Sequence, residues 1–210
     1  MLGGAQRSRS ISTGELTPGA NNEAAEMLRL RCAPLSMTTR NMTLRALEPD
    51  DLEFLFQLEN DPDLWAASDV LPAPISRHAL REYLRHSAAS LAEAGQMRLI
   101  ISGEEKQPVG TLDLYDYSAL HQRAGVGITV LQKARRRGYA RAALLQLLPY
   151  AREALRLHQL YCTISEDNLA SISLFAEIGF QKVGVRRDWL RDNTPTGWVN
   201  TVEMQCILSE

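Results

Sequence analysis

The sequence predicts a mixed α/β domain, a mostly antiparallel sheet flanked by helices, with its elements in the order βααβββαβαββ. Three stretches carry this prediction. Residues 97–130 contain three apolar, β-branched runs joined by connections too short for anything but antiparallel neighbours. The run Ile128-Thr129-Val130-Leu131-Gln132-Lys133-Ala134-Arg135-Arg136-Arg137-Gly138-Tyr139-Ala140 leads from a strand end through a basic loop straight into an Ala/Leu-rich helix. Residues 159–180 then supply a strand and a helix that opens on Asp167-Asn168 and closes at Gly179-Phe180, as a β-α-β crossover requires.

In chain order, residues 43–46 are a short strand candidate, and Glu48-Pro49-Asp50-Asp51 supplies a turn and helix-start chemistry. Leu52, Leu55 and Leu58 recur at near-helical spacing behind it, and Asp61-Pro62 ends the helix. Ser76 is a good N-cap for a second helix running to about Ala94, where Gly95 stops it. Strands are expected over 97–102, 109–115 and 124–130, the first two joined by the polar turn at 103–106. The helix after Gly138 carries Ala140, Leu144, Leu147, Ala151 and Leu155 on one face, and Pro149 inside it is expected to kink or split it. A strand over 159–164, the capped helix and two last strands over 181–189 and 199–207 complete the order.

Composition bounds the function. The 210 residues, 45% hydrophobic and 23% charged, fit one domain at 41–210 behind an extension at 1–40, rich in Gly, Ser, Thr, Asn and Pro, that reads as disordered. Met37 stands just before the folded part, so the extension is either a tail or an upstream mis-start. A net charge of -2 counts against a dedicated nucleic-acid binder. Cys32, Cys162 and Cys206 are odd in number and widely spaced with no C-x-x-C, which fits reduced thiols in a cytoplasmic setting and neither a disulfide frame nor a metal site. No apolar run reaches the roughly 18 residues needed to span a membrane.

The basic loop has the layout of an anion site. A helix N-terminus presents unpaired N–H groups and about half a positive charge, so phosphate is stabilised there. Gly138 permits close backbone approach, Ala140 keeps the first turn slim, and Lys133 with arginines 135 to 137 adds attraction for a polyanion. Arg135-x-x-Gly138-x-Ala140 resembles the pyrophosphate signature Q/R-x-x-G-x-G/A of the GNAT acyl-CoA N-acetyltransferases. The segment Asn168 to Phe180 resembles that family's other landmark, N-x-x-[AS]-x-x-[LI]-[YF]-x-x-x-G-F. The frame is similar to the branch holding spermidine and ribosomal-protein N-terminal acetyltransferases, over about residues 42 to 208.

The resemblance implies the GNAT fold, acetyl-CoA as co-substrate, and transfer of its acetyl group to a primary amine, of a polyamine-like molecule or a peptide N-terminus, by direct attack in a ternary complex. It implies that Ile128, Thr129 and Val130 offer backbone groups to the pantetheine and acetyl carbonyl. Arg135, Arg136, Arg137, Gly138, Tyr139 and Ala140 would hold the pyrophosphate, while Asn168 and Phe175 face the cofactor. The negative net charge and the lack of further basic clusters predict no nucleic-acid partner, the lack of a long apolar run predicts no membrane partner, and a homodimer is left open.

The chain departs from the family twice. The tyrosine that often serves as general acid falls at Phe175, and the glutamate often found before the loop falls at Gly125. Candidate replacements are Asp113 and Asp116, as base or ammonium ligand, and Tyr161 or Tyr115 as proton donor. These departures also motivate an alternative, a non-catalytic acyl-CoA-binding module. On the acceptor side, Glu48, Asp50, Asp51, Glu53, Glu59, Asp61, Asp63 and Asp69 stand in a segment without Lys or Arg, a negative wall that would concentrate a cationic amine. Trp65, Trp189 and Trp198 are further candidates to line that cleft.

Overall fold

The computed structural model describes residues 42–65, 73–87, 90–191 and 197–208. The extension at 1–40 with Met37 and Cys32, the acidic Asp69 and the turn at 192–196 lie outside the described residues.

One seven-stranded sheet organises the domain: β1 (Thr43–Ala46), β2 (Met97–Ser102), β3 (Pro108–Ser118), β4 (Arg123–Val130), β5 (Gln159–Ser165), β6 (Gln181–Arg191) and β7 (Trp198–Ile207). Its order is β1-β2-β3-β4-β5-β7-β6. Every neighbouring pair is antiparallel except β4 with β5, whose connection contains a helix and therefore permits parallel strands. Helices α1 (Leu52–Glu59), α2 (Pro62–Trp65), α3 (Arg77–His86) and α4 (Leu91–Ala94) lie between β1 and β2; α5 (Tyr139–Glu153) joins β4 to β5, and α6 (Leu169–Ile178) joins β5 to β6.

The two-residue period of the strands sorts the sheet into two faces. Leu99, Ile101, Leu112, Leu114, Ala124, Val126, Leu160, Cys162 and Ile164 are buried on one of them, under Ala143, Leu144 and Leu147 of α5 and Phe175 and Ile178 of α6. Ile100 faces the opposite way and packs with Phe54, Leu55 and Leu58 of α1 and Leu80 of α3. Continuing that second face along the strands gives Arg98, Asp113, Tyr115, Gly125, Gly127, Tyr161 and Thr163, a polar surface.

The structure corrects three expectations about elements. The helix from Ser76 stops at His86, and Ser90 caps the separate one-turn α4 through a reciprocal pair with Glu93. Pro149 does not split α5, which runs through it as one helix. The carbonyl that Pro149 leaves without its N–H belongs to Leu145, a residue on the exposed side of the helix. Leu155 falls beyond the end of α5, and Leu157 is the buried residue there.

Candidate active site

The site begins where β4 and β5 part. Their parallel pairing covers only Arg123↔Gln159, Ala124↔Leu160 and Gly125↔Tyr161, after which the strands are no longer partners. The phase of the β3–β4 ladder determines which groups face the opening. Leu131 N donates to Val109 O, so Thr129, Gly127 and Gly125 turn their backbone groups toward β3, while Val126, Ile128 and Val130 turn theirs toward the opening. Ile128 is thus well placed to meet a ligand's amide. Val130 O already accepts from Arg135 Nε at 3.1 Å. Thr129 was expected to join them, but its backbone groups are directed to β3.

The loop after β4 makes one 3-10 turn (Gln132–Ala134) and then enters α5 with Arg136 at φ 61° and Gly138 at φ 81°. Gly138 is the N-cap residue and has no side chain to bond the helix start. The first intrahelical donor to reach back is Ala142 N, to Gly138 O at 3.0 Å, so the N–H groups of Tyr139, Ala140 and Arg141 are left to a ligand or water. The arginines differ in their engagements. Arg135 holds Val130, Arg137 pairs with Glu104 at 3.3 Å, and Arg136 is exposed in the left-handed conformation. Tyr139 contributes only backbone, since its ring is buried against Gly103.

Asn168 is the N-cap of α6: its Oδ1 accepts from Ser171 N at 3.1 Å, a structural duty that occupies the oxygen and leaves the amide nitrogen for a cofactor. Phe175 is 3% exposed and packs edge to face on Phe180 with centroids 4.9 Å apart, so in the described fold its ring belongs to the core under the sheet.

The acceptor-side expectations need correction. Asp113 is not an unengaged carboxylate, because Arg98 Nε donates to its Oδ1 at 2.6 Å and Nη2 to its Oδ2 at 3.3 Å. Arg98 also pairs with Glu59 of α1 at 2.5 Å, and its guanidinium lies 5.8 Å from the Tyr83 ring centroid. Burial pushes the Asp113 carboxyl above the usual range and Arg98 opposes it, but the place foreseen for an acceptor's ammonium holds that guanidinium. The acidic wall is partly neutralised in the same way. Arg45 pairs with Asp51 at 2.6 Å and Arg77 with Glu53 at 2.8 Å, all from outside the acidic segment. Asp51 is buried and also accepts from Glu48 N, which makes it structural. Asp50 and Asp63 remain on the exposed surface. Trp189 and Trp198 are exposed on the β6–β7 ribbon, at 53% and 58%.

Asp116 and Tyr161 do come together. The Tyr161 hydroxyl donates to Asp116 Oδ2 at 3.2 Å. Burial raises the phenol above its ordinary range, and the charge of Asp116 adds to the effect. Neighbouring residues 115 and 116 would point to opposite faces of a regular strand. The register shift after Tyr115 and the left-handed φ of 48° at Asp116 turn this carboxylate back toward Tyr161. Sequence reading underrated Tyr115 and Arg98. The signal for Tyr115 was the pair Gly125 and Gly127, two small residues at a two-residue spacing, which marks a close approach on one strand face.

Residues 41–181 match the family model described as an acetyltransferase (GNAT) domain. The chain belongs to the GNAT acetyltransferase family. A spermidine N(1)-acetyltransferase of Vibrio cholerae is 25% identical over 143 residues, 68% of this chain and 80% of that protein. An uncharacterized N-acetyltransferase of Bacillus subtilis is 30% identical over 157 residues, 75% and 89% of the two chains. The crystal structure of spermidine N-acetyltransferase from Vibrio cholerae in complex with CoA and spermine shares the fold, with a TM-score of 0.73 at 23% identity, covering 81% of this chain and 97% of that one. As a GNAT enzyme, this chain is an acetyl-CoA-dependent N-acetyltransferase.

Proposed function

We propose that this GNAT enzyme acetylates a primary amine of a cationic, polyamine-like acceptor, by direct attack on acetyl-CoA bound in the opening between β4 and β5. The single observation that carries the placement is the end of β4–β5 pairing at Gly125↔Tyr161, which leaves the groups of Ile128 facing the gap one strand-end away from the vacant N–H groups of Tyr139, Ala140 and Arg141. A thioester's pantetheine arm takes the first set and its pyrophosphate the second. Arg135, Arg136 and Arg137 supply the positive field, and the Asn168 amide nitrogen faces the arm. The Vibrio cholerae relative's name supports a polyamine acceptor.

The chemistry asks for removal of a proton from an ammonium whose ordinary pKa is about 10.4 and protonation of a thiolate whose ordinary pKa is about 8.5. In this reading the ammonium first gives one proton to solvent, and as the neutral amine nitrogen bonds to the carbonyl carbon Asp116 receives its second proton, directly or through water. The tetrahedral adduct collapses with loss of the C–S bond, and Tyr161 protonates the departing sulfur. Burial and then the charge of Asp116 hold the Tyr161 phenol above its ordinary range, so it remains a proton donor at neutral pH. Asp113 contributes through Arg98 and Glu59 to the wall of the acceptor cleft. The unbridged buried thiols of Cys162 and Cys206 support a reducing, cytoplasmic setting.

The test is release of CoA thiol across a panel of polyamines, amino sugars and peptide N-termini, with mass analysis of the product. Fastest turnover on a di- or polyamine is expected. Turnover on peptide N-termini alone would overturn the acceptor class, and tight acetyl-CoA binding with no turnover on any amine would favour the binding module.

A further inference from the structure

Gly125 is the residue at which this chain departs from the family's glutamate, and the structure shows what fills the space instead. Tyr115 is its partner across the β3–β4 ladder. A methyl group on Gly125 would lie 2.5 Å from Tyr115 Cζ and 2.7 Å from Cδ2, and closer still to Cε2. Real Cβ atoms do not tolerate such approaches, so the ring rests directly on the β4 backbone. It also spans the next residue on that face, where a methyl on Gly127 would meet Cε1 at an ordinary 3.8 Å. The ring also meets Tyr161, with centroids 6.1 Å apart and planes at 80°, a favourable aromatic geometry. Tyr161 in turn donates to Asp116. Any side chain on Gly125 would lift Tyr115 and remove the support behind Tyr161.

We infer that Tyr115 is a positioning residue of the active site, whose ring, seated on the glycine floor of β4, holds the Tyr161 hydroxyl against Asp116 at the point where β4 and β5 part. The inference rests on the reading that Tyr161 and Asp116 move the protons. Gly125 is then functional: it replaces a side chain on β4 by space for an aromatic lever from β3, whereas Gly127 has room for a methyl group. The left-handed Asp116 backbone fits the same account, since strain retained in a strand turn here serves to aim a carboxylate. Burial is the main cause that raises the Tyr161 phenol; of the charged groups that face it, Asp116 on β3 and Glu203 on β7 raise it further and Arg123 on β4 lowers it.

The test compares two single methyl additions on one strand face. Proton transfer by a positioned group contributes on the order of 10²–10⁴-fold, so Gly125→Ala should lower kcat by roughly tenfold or more, with the KM for acetyl-CoA unchanged. Gly127→Ala should leave kcat close to wild type. Equal effects of the two would overturn the inference. Tyr115→Phe keeps the ring and should retain the wild-type kcat and pH profile; a loss as large as that of Tyr161→Phe would assign the chemistry to the Tyr115 hydroxyl instead. Tyr115→Leu should lose activity, and adding Tyr161→Phe to it should cost nothing more, because both remove the same donor. Losses that multiply would show that Tyr115 acts independently. If Tyr161→Phe alone has no effect, the proton-transfer reading fails; if it is impaired while Gly125→Ala is not, only the positioning inference fails. Melting temperatures of all variants identify any that report misfolding, and the Gly127→Ala and Tyr115→Phe pair keeps the test decisive in that case.

Discussion

Gly138 offers a way to separate backbone strain from charge at the proposed pyrophosphate site. Its φ is 81° and a Cβ there would meet nothing within 4 Å, so Asn and Asp both fit sterically and pay only for the left-handed backbone. That penalty is roughly 1–2 kcal/mol for an ordinary residue and smaller for Asn and Asp. It should lower the melting temperature by about 2–4 °C per kcal/mol in a chain of this size. The two variants are nearly the same shape and differ by one charge. A carboxylate about 5 Å from a phosphate charge, at an effective dielectric of 20–30, costs about 2–3 kcal/mol. That corresponds to roughly 30-fold to 150-fold in affinity. Calorimetric titration with CoA should therefore show a small loss for Gly138→Asn and a loss larger by that factor for Gly138→Asp, the gap narrowing as salt is raised. Equal affinities for the Asn and Asp variants would refute the assignment of the pyrophosphate to this helix start.

Three further outcomes follow from the described geometry. Burial pushes the Cys162 thiol up to about 12 and raises that of Cys206, so both stay protonated at pH 8; iodoacetamide should leave their peptides unmodified in the native protein and label them in urea. Phe175→Tyr should destabilise by about 1–3 kcal/mol, because its hydroxyl enters the core beside Phe180 without a partner, and should not raise kcat; a higher kcat would show that the ring edge reaches the thiol. We propose that the catalytic domain begins near residue 41, where the family match starts, so removing residues 1–38 should leave the melting temperature and CoA affinity unchanged, and a marked fall in either would contradict that boundary.

How much could be read from the sequence depended on the range of the interaction. β1 at Thr43–Ala46, the Ser76 cap and the Asn168-to-Gly179 helix were legible because a few adjacent residues determine them. The parallel β4–β5 step was legible from the helix between them. The break after His86 was not, since Ala88-Ala89 reads as good helix and the alternative is the local Ser90–Glu93 cap. The acidic wall misled because it was counted within one segment, whereas Arg45, Arg77 and Arg98 reach it from β1, α3 and β2. Thr129 misled because the ladder's phase is set by a bond at its end, Leu131 to Val109. The Tyr115 ring on Gly125 requires the β3–β4 register, which no local pattern states.

The most direct test of acetyl transfer at the opening between β4 and β5 is a crystal structure with a bisubstrate analogue, CoA joined through an acetyl link to a polyamine. The account predicts pantetheine between β4 and β5 bonded to Ile128, pyrophosphate on the N–H groups of Tyr139, Ala140 and Arg141, and the linked nitrogen on the Tyr115 side within reach of the Asp116–Tyr161 pair. A pantetheine bound outside that opening, or a polyamine leaving by the α5 face, would contradict it.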